Sequence, residues 1–198
     1  MAFHIYTLHS GIIMVVMLCW LVFAVILIHS KKPKSALVRR RNRSSIIGMV
    51  IQMMAYLTVW VVRRSLSSDL LPFGGVVEVI LGVVAVGLAV SSVWMALAAV
   101  HTLSRHWSLG AQLIEGHRLV TTGPYGVVRH PIYAGMLGLM LATALAFSRW
   151  IVILPATIVF VVGTVLRVQS EEKLLRETFG AEFEAYWQRV PMLIPRLF

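Results

Sequence analysis

The chain has 198 residues, 59% of them hydrophobic and 13% charged, and its mean hydropathy is +0.84. A soluble domain carries about a quarter charged residues, so this composition excludes a soluble enzyme and points to a multispan membrane protein. The formal charge of +10 fits basic loops beside anionic headgroups rather than a nucleic-acid patch, because no aromatic residues interleave the basic run.

Ser10 to Ile28 is an unbroken apolar run of 19 residues, close to the ~20 needed to cross a hydrocarbon core. No Lys or Arg precedes it and no small-residue cleavage site follows, so it is expected to stay as a helix rather than be removed as a leader. Cys19, the only cysteine, lies inside it, which leaves no disulfide framework and no cysteine metal motif. From Lys31 to Arg43, seven of thirteen residues are basic, a density that predicts the cytoplasmic side.

Ile46 to Val62 forms the second expected span, with Gln52 its only strongly polar member. A short polar loop from Arg63 to Gly75 is expected outside. Val76 to Val100 is the third span, rich in Gly, Ala and Ser, which allow helices to approach closely in lipid. Glu78, at its outer end, is expected to be hydrated. Ile132 to Phe147 and Ile151 to Leu166 are two apolar runs of sixteen residues joined by Ser148-Arg149-Trp150. They predict a tight helical hairpin whose arms, short for a full crossing, are buried against other spans or sit in a thinned region. Arg167 to Arg189 reads as a charged amphipathic tail with Leu175, Phe179, Phe183 and Tyr186 on one stripe, divided by Gly180.

Fifteen of the eighteen Lys and Arg residues fall in the segments 29–45, 101–131 and 167–198, which predicts the N-terminus outside and the C-terminus in the cytoplasm. The expected fold is an all-α integral membrane protein of about five transmembrane helices. Residues 1–100 would supply three spans with a basic loop at 29–45. Residues 101–198 would form a catalytic region made of a cytoplasmic loop, the hairpin 132–166 and the tail, with the active site between the loop and the C-terminal helix.

Polar chemistry gathers in Thr121 to Gly135. Gly123-Pro124 and His130-Pro131 interrupt helix, because proline lacks an N–H and biases its predecessor away from the helical region. Arg129, His130 and Tyr133 stand at the mouth of the fourth span, and Arg167 and Glu171 lie four apart at the mouth of the fifth. A tight hairpin makes the two mouths neighbours, so these five side chains are expected together. The plainer alternatives are an interfacial loop anchored by its tyrosines and an ordinary Arg167–Glu171 ion pair. His101, His106, His117 and His130 match no ligand spacing, so no metal is expected.

Leu119-Val120-Thr121-Thr122-Gly123-Pro124-Tyr125, Arg129-His130-Pro131-Ile132-Tyr133, Glu171-Glu172, Phe179-Gly180, Tyr186, Val190-Pro191 and Ile194-Pro195 together resemble the isoprenylcysteine carboxyl methyltransferase family, itself similar to the phospholipid N-methyltransferases. The likeness covers roughly residues 101–198. It implies a methyltransferase that uses S-adenosylmethionine and takes a lipophilic or prenylated acceptor from the bilayer. Carried over by position, the cofactor contacts fall on Gln112, His117, Arg118, Leu119, Val120, Tyr125, His130, Pro131, Ile132, Tyr133 and Glu171. Arg167 matches the position that meets the substrate, and Arg129 would help orient it. The family also implies a multi-pass protein, here expected in a bacterial or archaeal inner membrane. The rival readings are methylation of a phospholipid amine or another lipid, a sterol-type reductase using NADPH, for which a looser Arg-His-Pro-x-Tyr block is known, and a non-catalytic membrane scaffold. Methyl transfer to a carboxylate needs no general base, since the acceptor is already ionised, and its demand on the protein is alignment, worth at most ~7–11 kcal/mol.

Overall fold

In a computed structural model, the described residues are 2–29, 43–65, 75–103 and 119–195. They form six α-helices: α1 (Ala2–His29), α2 (Arg43–Val61), α3 (Gly75–Leu103), α4 (Pro131–Phe147), α5 (Ile153–Phe179) and α6 (Ala181–Arg189). Beyond two short 3₁₀ turns, the described residues hold an isolated bridge between Arg63 and Ser148 and no strand. Four helices are long and apolar enough to cross a membrane, and α4 is a shorter apolar one. Large apolar side chains such as Met14, Leu21, Met54, Val83 and Leu154 stand more than half exposed along these helices. In water that surface would be untenable, whereas lipid is its natural solvent. The protein is an all-α, multi-pass membrane protein.

Helix α2 runs along α5, α3 runs along α4, and α1 packs on α3 and α4. Lipid supplies no hydrophobic drive between helices, so close packing and interhelical hydrogen bonds must hold them. The α2–α5 pair has both. A Cβ placed on Gly48 would stand 2.5 Å from Gly163 O, and one on Gly163 would stand 2.7 Å from Gly48 O, so the backbones cross in contact. On either side of that crossing, Ser44 Oγ meets Ser170 Oγ at 2.6 Å and Gln52 Nε2 donates to Thr164 Oγ1 at 2.7 Å. On the other pair, Gly135 and Gly138 of α4 let Ser92 of α3 approach closely. Between the two pairs, Trp20 donates to Thr143 Oγ1 at 2.9 Å and its ring meets Tyr56 edge-on at 5.2 Å.

The end of the bundle away from the site is closed by a buried ionic knot, which corrects the expectation that Glu78 is hydrated. Glu78 is buried and accepts from Arg64 Nη1 at 2.9 Å, and His9 Nε2 lies 3.7 Å from its other oxygen. Arg64 also donates to the carbonyls of Ala146 and Leu145 at the C-terminus of α4. Helices α1, α3 and α4 and the residues just after α2 therefore meet around one buried carboxylate.

The hairpin is also longer on one side than its apolar runs imply. α5 continues unbroken through Arg167, Glu171 and Glu172 to Phe179, so no boundary separates a fifth span from a tail at residue 166. Leu, Gln, Glu, Lys and Arg all propagate helix well, and nothing before Gly180 interrupts it. Gly180, at φ +50°, then turns the chain into α6, a break that only glycine makes without strain. α4 spans about 25 Å, against about 40 Å for α5. The shorter helix thus ends alongside the middle of the longer one.

Candidate active site

At the N-terminus of α4 the chain enters through a 3₁₀ turn, Gly123–Gly126, and a short irregular link to Pro131, the first residue of the helix. Gly123 holds φ +60°, and a Cβ there would press on Thr102 Oγ1 of α3 at 2.9 Å. Leu119 and Val120 lead into this turn half-buried, Pro131 is buried and Ile132 half-buried. Tyr125 is buried in the turn, and its carbonyl accepts from the Tyr186 hydroxyl of α6 at 2.7 Å. Burial pushes both phenols well above their ordinary pKa, with Tyr186 and then the Glu171 carboxylate raising that of Tyr125 further.

His130, Tyr133, Arg167 and Glu171 meet where α4 and α5 lie side by side. The Tyr133 hydroxyl donates to Glu171 Oε1. The His130 and Tyr133 rings stack at 5.8 Å, and His130 Nδ1 lies 3.7 Å from Glu171 Oε2. The Arg167 guanidinium carbon also stands over the Tyr133 ring, 4.7 Å from its centroid, within the range of a cation–π contact. Among the described residues no ion pair joins Arg167 to Glu171, so the simple pairing four residues apart is not formed. Arg167 Nη1 donates instead to Gln52 Oε1 at 2.8 Å. Its Nε is buried without a hydrogen-bond partner among the described residues. Arg167 is 8% exposed and lies about 21 Å along α5 from Ile153, a depth at which a cation faces the bundle interior and marks a site or a pairing.

A second carboxylate, Glu172, organises the surroundings. It accepts from Arg129 Nε at 2.9 Å, His130 Nε2 at 3.2 Å and Trp187 Nε1 at 3.1 Å, so the proton on Nε2 faces it, because an ionised carboxylate only accepts. Arg129 also donates to the Trp187 and Val190 carbonyls, and its backbone N–H donates to Pro191 O at 2.8 Å. Arg129 thus ties the loop, α5 and the chain after α6 into one piece. Arg176 lies over the Phe183 and Trp187 rings at 5.5 Å each and pairs with Glu184 at 2.6 Å, holding α6 against α5.

Gln112, His117 and Arg118 lie outside the described residues. Glu172 and Gln52 were missed as members of the cluster. The acid-acid pair Glu171-Glu172 on a helix was one signal, since adjacent positions point to different sides and two carboxylates there serve two partners. The single polar residue in the second span was the other, because an amide in hydrocarbon needs a partner.

The phospholipid methyltransferase family pattern matches residues 79–182, from α3 to the start of α6. Over 168 residues the chain is 27% identical to a probable protein-S-isoprenylcysteine O-methyltransferase of Oryza sativa subsp. indica, covering 84% of each chain. It is 35% identical over 81 residues to protein-S-isoprenylcysteine O-methyltransferase B of Arabidopsis thaliana, 41% of each chain. A third relative is methanethiol S-methyltransferase 2 of Bradyrhizobium diazoefficiens, 35% identical over 85 residues, 43% of this chain and 32% of that protein.

Proposed function

The chain belongs to the phospholipid methyltransferase family, and from that premise we propose that it moves a methyl group from S-adenosylmethionine to an acidic, lipophilic acceptor drawn from the bilayer, with an isoprenylcysteine-like carboxylate as the substrate class. Its relatives' names place the methyl on a prenylated cysteine or on methanethiol, so the acceptor is inferred from this chain's own residues. The observation that carries the reading is Arg167: a cation at membrane depth, backed by Gln52 and Tyr133, with a buried Nε that has no partner among the described residues. A carboxylate at the end of an apolar chain would meet that edge, and an arginine can bind it with two parallel donors.

S-adenosylmethionine, when bound, supplies an electrophilic methyl on a sulfonium, so no side chain has to act as a nucleophile. The cluster beside Arg167 suits such a molecule. The Glu171 side chain is 20% exposed, able to accept from sugar hydroxyls while keeping Tyr133. Leu119, Val120, Tyr125, Pro131 and Ile132 frame the same end of the bundle, and the proposed donor site extends into Gln112, His117 and Arg118. Arg129 and Glu172 keep α6 in register with α5. The work left to the protein is to hold acceptor and donor in line and dry, with the site end facing the cytoplasm, a side that the distribution of basic residues supports.

Calorimetric titration of the detergent-purified protein with S-adenosylhomocysteine, with NADPH as the contrasting ligand, tests this reading. Saturable binding of the first and none of the second is expected. NADPH binding alone would replace it with a reductase, and binding of neither would favour a scaffold.

A further inference from the structure

We propose that Gln52, on α2 and outside the stretch matched by the family pattern, is a positioning residue for Arg167, so that a helix with no recognisable signature sets the edge the acceptor meets. The proposal rests on the reading that Arg167 docks the acceptor. Gln52 is 1% exposed, and both ends of its amide are committed in one direction. The Thr164 hydroxyl donates its single proton to Phe160 O at 2.8 Å, so it can only accept from Gln52, and Nε2 supplies that bond at 2.7 Å. Arginine has donors and no acceptor, so Gln52 must present oxygen to Arg167, as it does at 2.8 Å. Two independent hydrogen-bond rules therefore give the same amide orientation, and a flipped amide would set N–H against N–H at Arg167 and lone pair against lone pair at Thr164.

The consequence falls on the guanidinium. With Nη1 held by Gln52 and Cζ resting over the Tyr133 ring, rotation of the Arg167 guanidinium about the Cδ–Nε bond is restrained, and Nε is left over, buried and unpartnered among the described residues. Gln52 is neutral. It fixes the geometry while leaving the positive charge uncompensated for an anion, which a glutamate in its place would not. The backbone contact of Gly48 with Gly163, one turn away, brings α2 close enough for so short a side chain to reach α5.

The test uses the full-length protein in nanodiscs, the variants Gln52→Leu, Gln52→Glu and Arg167→Lys, and the double variant Gln52→Leu with Arg167→Lys. Turnover is measured with an S-farnesylated N-acetylcysteine, and S-adenosylhomocysteine affinity and thermal midpoint are recorded alongside. Gln52→Leu is expected to raise the acceptor KM roughly 10-fold. Gln52→Glu, nearly identical in shape, should raise it at least as much by neutralising Arg167. In both, S-adenosylhomocysteine affinity stays within about twofold. If Gln52 acts through Arg167, the double variant is no slower than Arg167→Lys alone; losses that multiply would overturn the proposal, as would a wild-type KM in Gln52→Glu. The ¹⁵N–¹H resonance of Arg167 Nε, assigned by its loss in Arg167→Lys, is read in the same samples and needs no substrate. It should shift or broaden in Gln52→Leu, and an unmoved resonance also overturns the proposal. A wild type that ignores the farnesylated acid would overturn the acceptor reading instead, leaving the resonance to decide Gln52.

Discussion

The Arg167 guanidinium lies 4.7 Å from the centre of the Tyr133 ring, and the hydroxyl of that same ring donates to Glu171, one helical turn beyond Arg167. One tyrosine of α4 thereby separates a cation and an anion of α5 that would otherwise neutralise each other. In the proposed reading Glu171 serves the methyl donor and Arg167 the acceptor. Tyr133→Phe should keep the ring beneath Arg167 and release Glu171. S-adenosylhomocysteine affinity is expected to fall by about 1–3 kcal/mol with the protein still folded, and Glu171→Gln should do the same. Calorimetry giving wild-type affinity in both variants would remove this pair from the donor site.

Arg167→Lys keeps the charge and loses the planar fork, together with the fixed bond to Gln52. Its methyl transfer should be at least ~10-fold slower, equivalent to ~1.4 kcal/mol at the transition state, while S-adenosylhomocysteine binding stays normal. Near-normal turnover would mean that any cation serves at this position.

Gly48 and Gly163 have no room for a methyl group, since each Cβ would fall within 2.7 Å of the opposing carbonyl oxygen. Gly48→Ala or Gly163→Ala must push α2 off α5, costing about 1–3 kcal/mol by overpacking and loosening the Gln52 bonds as well. A thermal midpoint unchanged in both variants would show that the two backbones do not touch. Gly87, with nothing within 4 Å of its Cβ position, is the control: Gly87→Ala should be neutral or slightly stabilising.

Glu172 joins Arg129, His130 and Trp187. Glu172→Ala leaves the Arg129 cation buried without its carboxylate, a loss of about 3–5 kcal/mol when such a pair is broken. The strain is local, so α6 and the chain after it should detach first. Limited proteolysis should cut near Gly180 faster in Glu172→Ala than in the wild type, and equal rates would exclude the latch.

The distribution of basic residues predicts opposite sidedness for the two ends of the bundle. Reporter fusions at the C-terminus and within the segment 66–74 should report opposite faces of the membrane, and a common face would refute the topology.

The number, order and approximate limits of the apolar helices were legible in the chain itself, because hydropathy over a span is a sum of local transfer energies and needs no partner. So was the polar block at 121–135, whose prolines and glycines act on their own backbone, and so was the break at Gly180. Tertiary structure alone decided who pairs with whom. Arg167 and Glu171 have ideal spacing for an ion pair, yet α4 inserts Tyr133 between them. Glu78 reads as an interfacial residue until His9 of α1 and Arg64, just beyond α2, meet it in the interior. Gln52 was visible only as an oddity, an amide with no destination, until Gly48 and Gly163 brought α2 within reach of Thr164 and Arg167. Side-chain hydrogen bonds between helices here join residues as far as 126 apart in sequence, and periodicity along one helix carries no information about the face of another.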